Sequence, residues 1–271
     1  MDVPKFKNKK ELFSWLKENE DDLISFKKAS FKTADCFSAP VNLIMNDVQS
    51  LSKGIMTNEE AIVAKGSVED DTIKVRAIIN TTMVRDSHKD VHINGLWKKS
   101  LKENKRMKHL QEHEMKFDKI ISDKEDLKAF TKTYDWKQLG YDMEGKTEAL
   151  VFDSTIRKSR NATMYGEYKS ENVDNHSVGM YYVNIKLAFD SKEEDDEKYK
   201  EEYDKHIEQI ANKDEVKQDG YFYAVYEAKA IEGSAVPLGS NQITPTIQTS
   251  KTSLVSDDEL KVQAIKKWLS K

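Results

Sequence analysis

Along residues 174–189, DNHSVGMYYVNIKLAF, the side chains Ser177, Tyr181, Val183, Ile185 and Leu187 share one parity in a run rich in aromatic and β-branched residues. A period of two with that composition predicts a strand with one buried face, and Ser177 stands at its mouth beside Gly179. Such a serine has a short alcohol on rigid backbone with little bulk next to it. By itself it merely ends a loop, because a nucleophile also needs a base and a group to orient that base. Further strands are predicted at 61–65, 73–80, 127–136, 148–156 and 221–226, which together amount to a sheet-forming core.

Helical spacing appears between and around these strands. Asn8 followed by Glu11 forms an N-cap with its acid, ahead of Leu12, Trp15, Leu16, Leu23 and Phe26. Val41, Ile44, Met45, Val48 and Leu51 form a second stripe, so residues 1–60 are expected to be a helical N-terminal extension. Leu96, Trp97, Ser100 and Leu101 predict a short helix with Asn94 as its cap, and Ala162, Tyr165 and Tyr168 another. The charge-dense segment around 192–215 carries Tyr199, Tyr203, Ile207 and Ile210 at helical spacing, the pattern of a solvated helix with one apolar stripe. After a Thr/Ser-rich linker, the box Ser256 to Glu259 opens a last amphipathic helix with Leu260, Ala264, Ile265, Trp268 and Leu269. The domain organisation expected is therefore 1–60 helical extension, 61–243 main domain with a charged insertion at 190–219, and 244–271 linker plus helix.

Composition narrows the function classes. The chain has 271 residues, 34% of them charged, with 44 basic against 48 acidic residues and a net charge of -4. No basic footprint for nucleic acid is present. Cys36 is the single cysteine, which excludes an intrachain disulfide and any zinc site built on two or more cysteines. The basic start MDVPKFKNKK leads into no apolar run, and no stretch of about 18 apolar residues occurs, so neither a membrane span nor a secretory leader is expected.

Three places carry candidate chemistry besides Ser177. His109 and His113 are four apart, the spacing that puts two metal ligands on one helix face. Leu110 stands where the metalloprotease pattern requires glutamate, and neither a cysteine nor a third ligand accompanies the pair. Glu232, between Ile231 and Gly233, is either an ordinary exposed carboxylate or a positioned one. No cofactor motif is found.

Four segments, taken in order, resemble the prohead (capsid maturation) proteases of tailed bacteriophages, the type represented by phage HK97. RDSHKDVHINGLWKKSL is similar to that family's paired-aspartate segment with a Gly-aromatic helix start, LQEH to its hydrophobic run ending in the catalytic histidine, HSVGM to its Ser-hydrophobic-Gly nucleophile motif, and IEGSAVPLGSN to its Glu-x-Ser-x-Val segment. The likeness spans residues 73–241. It departs from the pattern in having Ile120, Ile121 and Ser122 where a glycine often follows the histidine, and in the long charged insertion. The resemblance implies Ser177 as nucleophile, His113 as general base and Glu232 as the orienting acid, with His109 and His176 as rival bases. It also implies an α+β fold of the herpesvirus assemblin type, a mostly antiparallel β-barrel core surrounded by helices. Its functional implications are a serine endopeptidase that cleaves the major capsid protein or its scaffolding segment, and itself. Such an enzyme acts as a homo-oligomer inside the procapsid in the host cytoplasm, without metal, nucleic acid or membrane. The alternatives are a non-catalytic capsid assembly or scaffolding protein on the same fold and a metal-dependent hydrolase using His109 and His113.

Overall fold

A computed structural model describes residues 3–35 and 72–237. The stripe from Val41 to Leu51, the strand at 61–65, the linker and the C-terminal amphipathic helix lie outside the described residues.

The chain opens with two helices where one continuous stripe was expected. α1 (Lys9–Glu18) starts as predicted, Asn8 Oδ1 accepting from the Glu11 amide at 3.0 Å, and α2 (Glu20–Ala29) follows after a break at Asn19. β1 (Lys32–Asp35) comes next, then β2 (Thr72–Asn80), β3 (Asp90–His92) and α3 (Lys98–Glu103). Asn94 does not cap α3; its Oδ1 accepts instead from the Thr82 hydroxyl at 2.6 Å, and the capping position is Trp97, which makes no side-chain cap. β4 (Lys108–Gln111), β5 (Ile120–Asp123), β6 (Leu127–Asp135) and β7 (Lys146–Arg157) precede α4 (Ala162–Lys169), whose cap Asn161 accepts from the Met164 amide. β8 (His176–Phe189), α5 (Glu197–Ile207), α6 (Lys213–Asp219) and β9 (Tyr221–Ala235) complete the described chain.

Among the described residues the fold is mixed α+β, with two sheets, neither of them closed into a barrel. The larger runs β1-β8-β9-β4-β5, with β3 also on β9; the smaller is β2-β7-β6. β8 and β9 pair antiparallel over almost their whole length, from His176↔Ala235 to Phe189↔Tyr221. On its other edge β9 takes β3 at Tyr223–Val225 and β4 at Glu232–Ala235, both parallel, so the sheet is mixed.

The inner face of the large sheet buries Val178, Met180, Tyr182, Ile185, Leu187 and Phe189 against two covers. Near Gly233 the cover is the small sheet, which comes so close that a Cβ there would lie 2.6 Å from Ile79 and 2.7 Å from Phe152. Near Phe189 and Tyr223 it is the α1–α2 hairpin: Phe13 stacks on Phe189 at 4.9 Å, and Lys27 donates to Asp90 at 2.5 Å while lying over the Tyr223 ring. The outer face is covered at that end by α5, whose Tyr203 and Ile207 pack with Ala188, Phe222 and Ala224.

β8 does not keep the parity expected of it. Tyr181 and Val183 are exposed (40% and 43%) while Ile185 and Leu187 are buried. The pairing slips at Tyr182/Asn184, where Val183 is the extra residue in β8, and at Asn184/Ile185, where Tyr226 is the extra residue in β9; the first re-phases β8 so that Val178, Met180 and Tyr182 face inward before it and Ile185, Leu187 and Phe189 after it. By the same logic Ser177 and Gly179 face outward, at the end of the sheet away from α5.

Candidate active site

Four residues of β8 and β9 meet on that outer face. Ser177 pairs with Ser234 and Gly179 with Glu232, so all four occupy one side of the sheet in two adjacent rungs. Glu232 reaches across its rung: a Cβ on residue 179 would sit 1.9 Å from its Oε1, so only glycine leaves room for the carboxylate. β4 lies on the far side of β9 and delivers the chain to a turn in which Glu112 and His113 both have positive φ, 55° and 59°, closed by the Glu114 amide donating to the Gln111 carbonyl. That left-handed pair folds His113 back over the sheet.

His113 is held there by three hydrogen bonds that form a closed ring. Its amide donates to Ser234 Oγ at 3.1 Å, the Ser234 hydroxyl donates to Glu232 Oε2 at 2.6 Å, and the imidazole Nδ1 donates to Glu232 Oε1 at 2.7 Å. A carboxylate only accepts, so the proton of a neutral His113 ring is on Nδ1 and Nε2 is left as the basic nitrogen. Nε2 is buried and has no hydrogen-bond partner among the described residues. A buried imidazole nitrogen without a partner costs free energy unless something else uses it. Glu232 is 1% exposed and Ser177 fully buried, while the His113 side chain keeps 20% exposure.

The expected trio is thus gathered at one place but not fully joined. Glu232 and His113 are bonded. Ser177 lies one cross-strand pair from Ser234, the residue that receives the His113 amide, yet no hydrogen bond links its hydroxyl to His113 Nε2. Ser234 had no role assigned from the sequence, although the motif Glu-x-Ser contains its signal, since residues two apart on a strand share a face.

The rival histidines lie behind the sheet. His109 pairs with Gly233, so it faces inward, where its Nδ1 meets Ser154 Oγ at 2.8 Å and its Nε2 meets Tyr168 Oη at 3.1 Å. His176 shares the same hydroxyl at 2.8 Å. Burial pushes His109 well below the ordinary imidazole range and His176 down to about 4, so both are neutral core groups. His109 and His113 do not share the helix face that a metal pair at this spacing requires: they are on a strand and a turn, and they emerge on opposite sides of the sheet. Among the described residues no group of three or more His, Cys, Asp or Glu is arranged to hold a metal.

No protein-family model, curated protein or solved structure matches the chain.

Proposed function

We propose that the protein is a serine endopeptidase of the capsid-maturation kind, with Ser177 as nucleophile, His113 as general base and Glu232 as the acid that orients it. The observation that carries the reading is the buried, unpartnered Nε2 of a histidine whose Nδ1 is fixed 2.7 Å from a buried glutamate, on the sheet face that also bears Ser177. In the reaction His113 Nε2 takes the Ser177 hydroxyl proton as Oγ bonds to the substrate carbonyl carbon, then returns it to the leaving amine as the C–N bond breaks. A water molecule repeats the sequence on the acyl-enzyme, releasing the acid and restoring the alcohol. Glu232 keeps the imidazole in the Nδ1–H tautomer and stabilises the imidazolium during each transfer, and Ser234 fixes the glutamate.

On this reading the substrate is the major capsid protein or its scaffolding segment, the enzyme works as a homo-oligomer within the assembling procapsid in the host cytoplasm, and it also cuts itself. The larger sheet and its helices belong, in the same proposal, to an assemblin-like barrel core. Co-expression with the coat protein tests it: Ser177→Ala should leave a folded chain with processing of coat and self reduced by about 10⁴-fold or more, the scale of losing a triad nucleophile. Unchanged processing in Ser177→Ala, or in His113→Gln, would rule the assignment out.

A further inference from the structure

Resting on that reading, we infer that β1 occupies, in cis, the sheet edge along which a substrate strand pairs, so that the chain described here is self-inhibited. A nucleophile with no exposure cannot meet a polypeptide, and Ser177 has none. Among the described residues, β1 is the strand on the β8 edge, and it runs antiparallel with Lys32 opposite Met180, Thr33 opposite Gly179, Ala34 opposite Val178 and Asp35 opposite Ser177. The segment therefore passes beside the nucleophile in extended form, as an added substrate strand would.

How β1 is held sets it apart from the structural strands. Residues 30–33 contribute nothing to the hydrophobic clusters, and Lys32 and Thr33 are only half-buried. Main-chain pairing with β8 holds the segment, and main-chain pairing accepts any sequence, while Lys32 adds a cation–π contact over the Phe26 ring. Among the described side chains of this segment, the one that engages the site is Phe31. It lies over Gly179, with its Cζ 2.4 Å from where a Cβ would be, and meets the Tyr181 ring edge-on at 5.5 Å, yet it remains 40% exposed. A large aromatic left this open is loosely seated and exchangeable. The substrate class that follows is an extended polypeptide bearing a large apolar side chain four residues before the one opposite Ser177, the position Phe31 holds relative to Asp35.

The test uses the full chain in a Ser177→Ala background, so that binding is read without catalysis. A fluorescent peptide of sequence SFKTAD, residues 30–35, is titrated by anisotropy against the chain with β1 intact, with Lys32→Pro and Thr33→Pro together, and with Phe31→Ser alone. The prolines remove strand donors, and the serine removes only the aromatic anchor. The peptide should bind at least tenfold more tightly to the proline variant, and more tightly to Phe31→Ser than to the intact chain. The amides of residues 177–180 should exchange faster in the proline variant and regain protection when peptide is added. Equal affinities in a folded proline variant, with unchanged exchange at 177–180, would overturn the inference. Because none of these readings requires hydrolysis, loss of the protease reading would appear separately, in the Ser177-containing chain.

Discussion

The most constrained side chain of the site is Glu232, which serves His113 and Ser234 with its two oxygens and needs the empty space above Gly179. Gly179→Ala is expected to displace the carboxylate or Phe31, costing about 1–3 kcal/mol of stability by overpacking and lowering turnover more than substrate affinity. Denaturant midpoints and steady-state kinetics on that variant would check both. A second prediction comes from the buried histidines. Burial holds His92 and His176 down at about 4, and pushes His109 well below the ordinary imidazole range. Each takes up its proton more readily when unfolded, so the stability it supports is complete above about pH 6.5 and is lost as pH falls toward 4. At pH 5, His92 and His176 should each cost about 2 kcal/mol, and denaturant midpoints at pH 7.5 and 5.0 should differ accordingly. Identical midpoints would mean that these rings are not neutral in the native state. Of these residues, strand patterning placed Ser177 at the mouth of β8, and only the ordered motifs gave it a candidate role. His113 and Glu232 were legible only through ordered motifs, because a turn with two positive φ values and a carboxylate within a strand leave no periodic trace. The inward-facing pair His109 and His176 could not be distinguished from site residues until the strands had a register.

At the scale of elements, irregular pairing decided what could be read. Alternation along β8 predicts one parity throughout, and the slip at Tyr182/Asn184 reverses it midway. β9 was legible only as 221–226 because Glu227, Lys229 and Glu232 interrupt its apolar run, although the observed strand is Tyr221–Ala235. β1 escaped notice altogether: of its four residues, KTAD, Lys, Ala and Asp are all depleted in strands, and its place is set by backbone pairing with β8. Capping was legible where it is local, as at Asn8, and misread where a tertiary partner competes, as for Asn94 with Thr82. The first helix is not a free appendage, since Phe13, Phe189 and Tyr199 stack in series at 4.9 and 4.3 Å and so tie α1, β8 and α5 together. Phe13→Ala should therefore destabilise the whole domain by about 3–5 kcal/mol, visible as one cooperative shift in thermal unfolding. A small separate transition, with the main one unmoved, would show that the helix is an independent extension.

Across the molecule, the long β8–β9 pair separates two polar regions that the sequence lists side by side. His109, Tyr168 and His176 lie toward the small sheet, and His113, Glu232, Ser234 and Ser177 lie on the open end of the other face, with α5 covering the rest. Periodicity made the mixture of strands and helices legible, with β2, β6, β7, β8 and the start of β9, but not β1, β3, β4 or β5; the division between two sheets was not legible either, because it depends on which faces the bulges turn inward. The most direct measurement is the mass of the full chain after exposure to a fluorophosphonate, made on the Lys32→Pro/Thr33→Pro form with and without His113→Gln. Activation of the Ser177 alcohol by His113 predicts a single adduct on Ser177 that is lost in His113→Gln. A folded chain with no adduct on Ser177, or one labelled equally well without the imidazole, would contradict it.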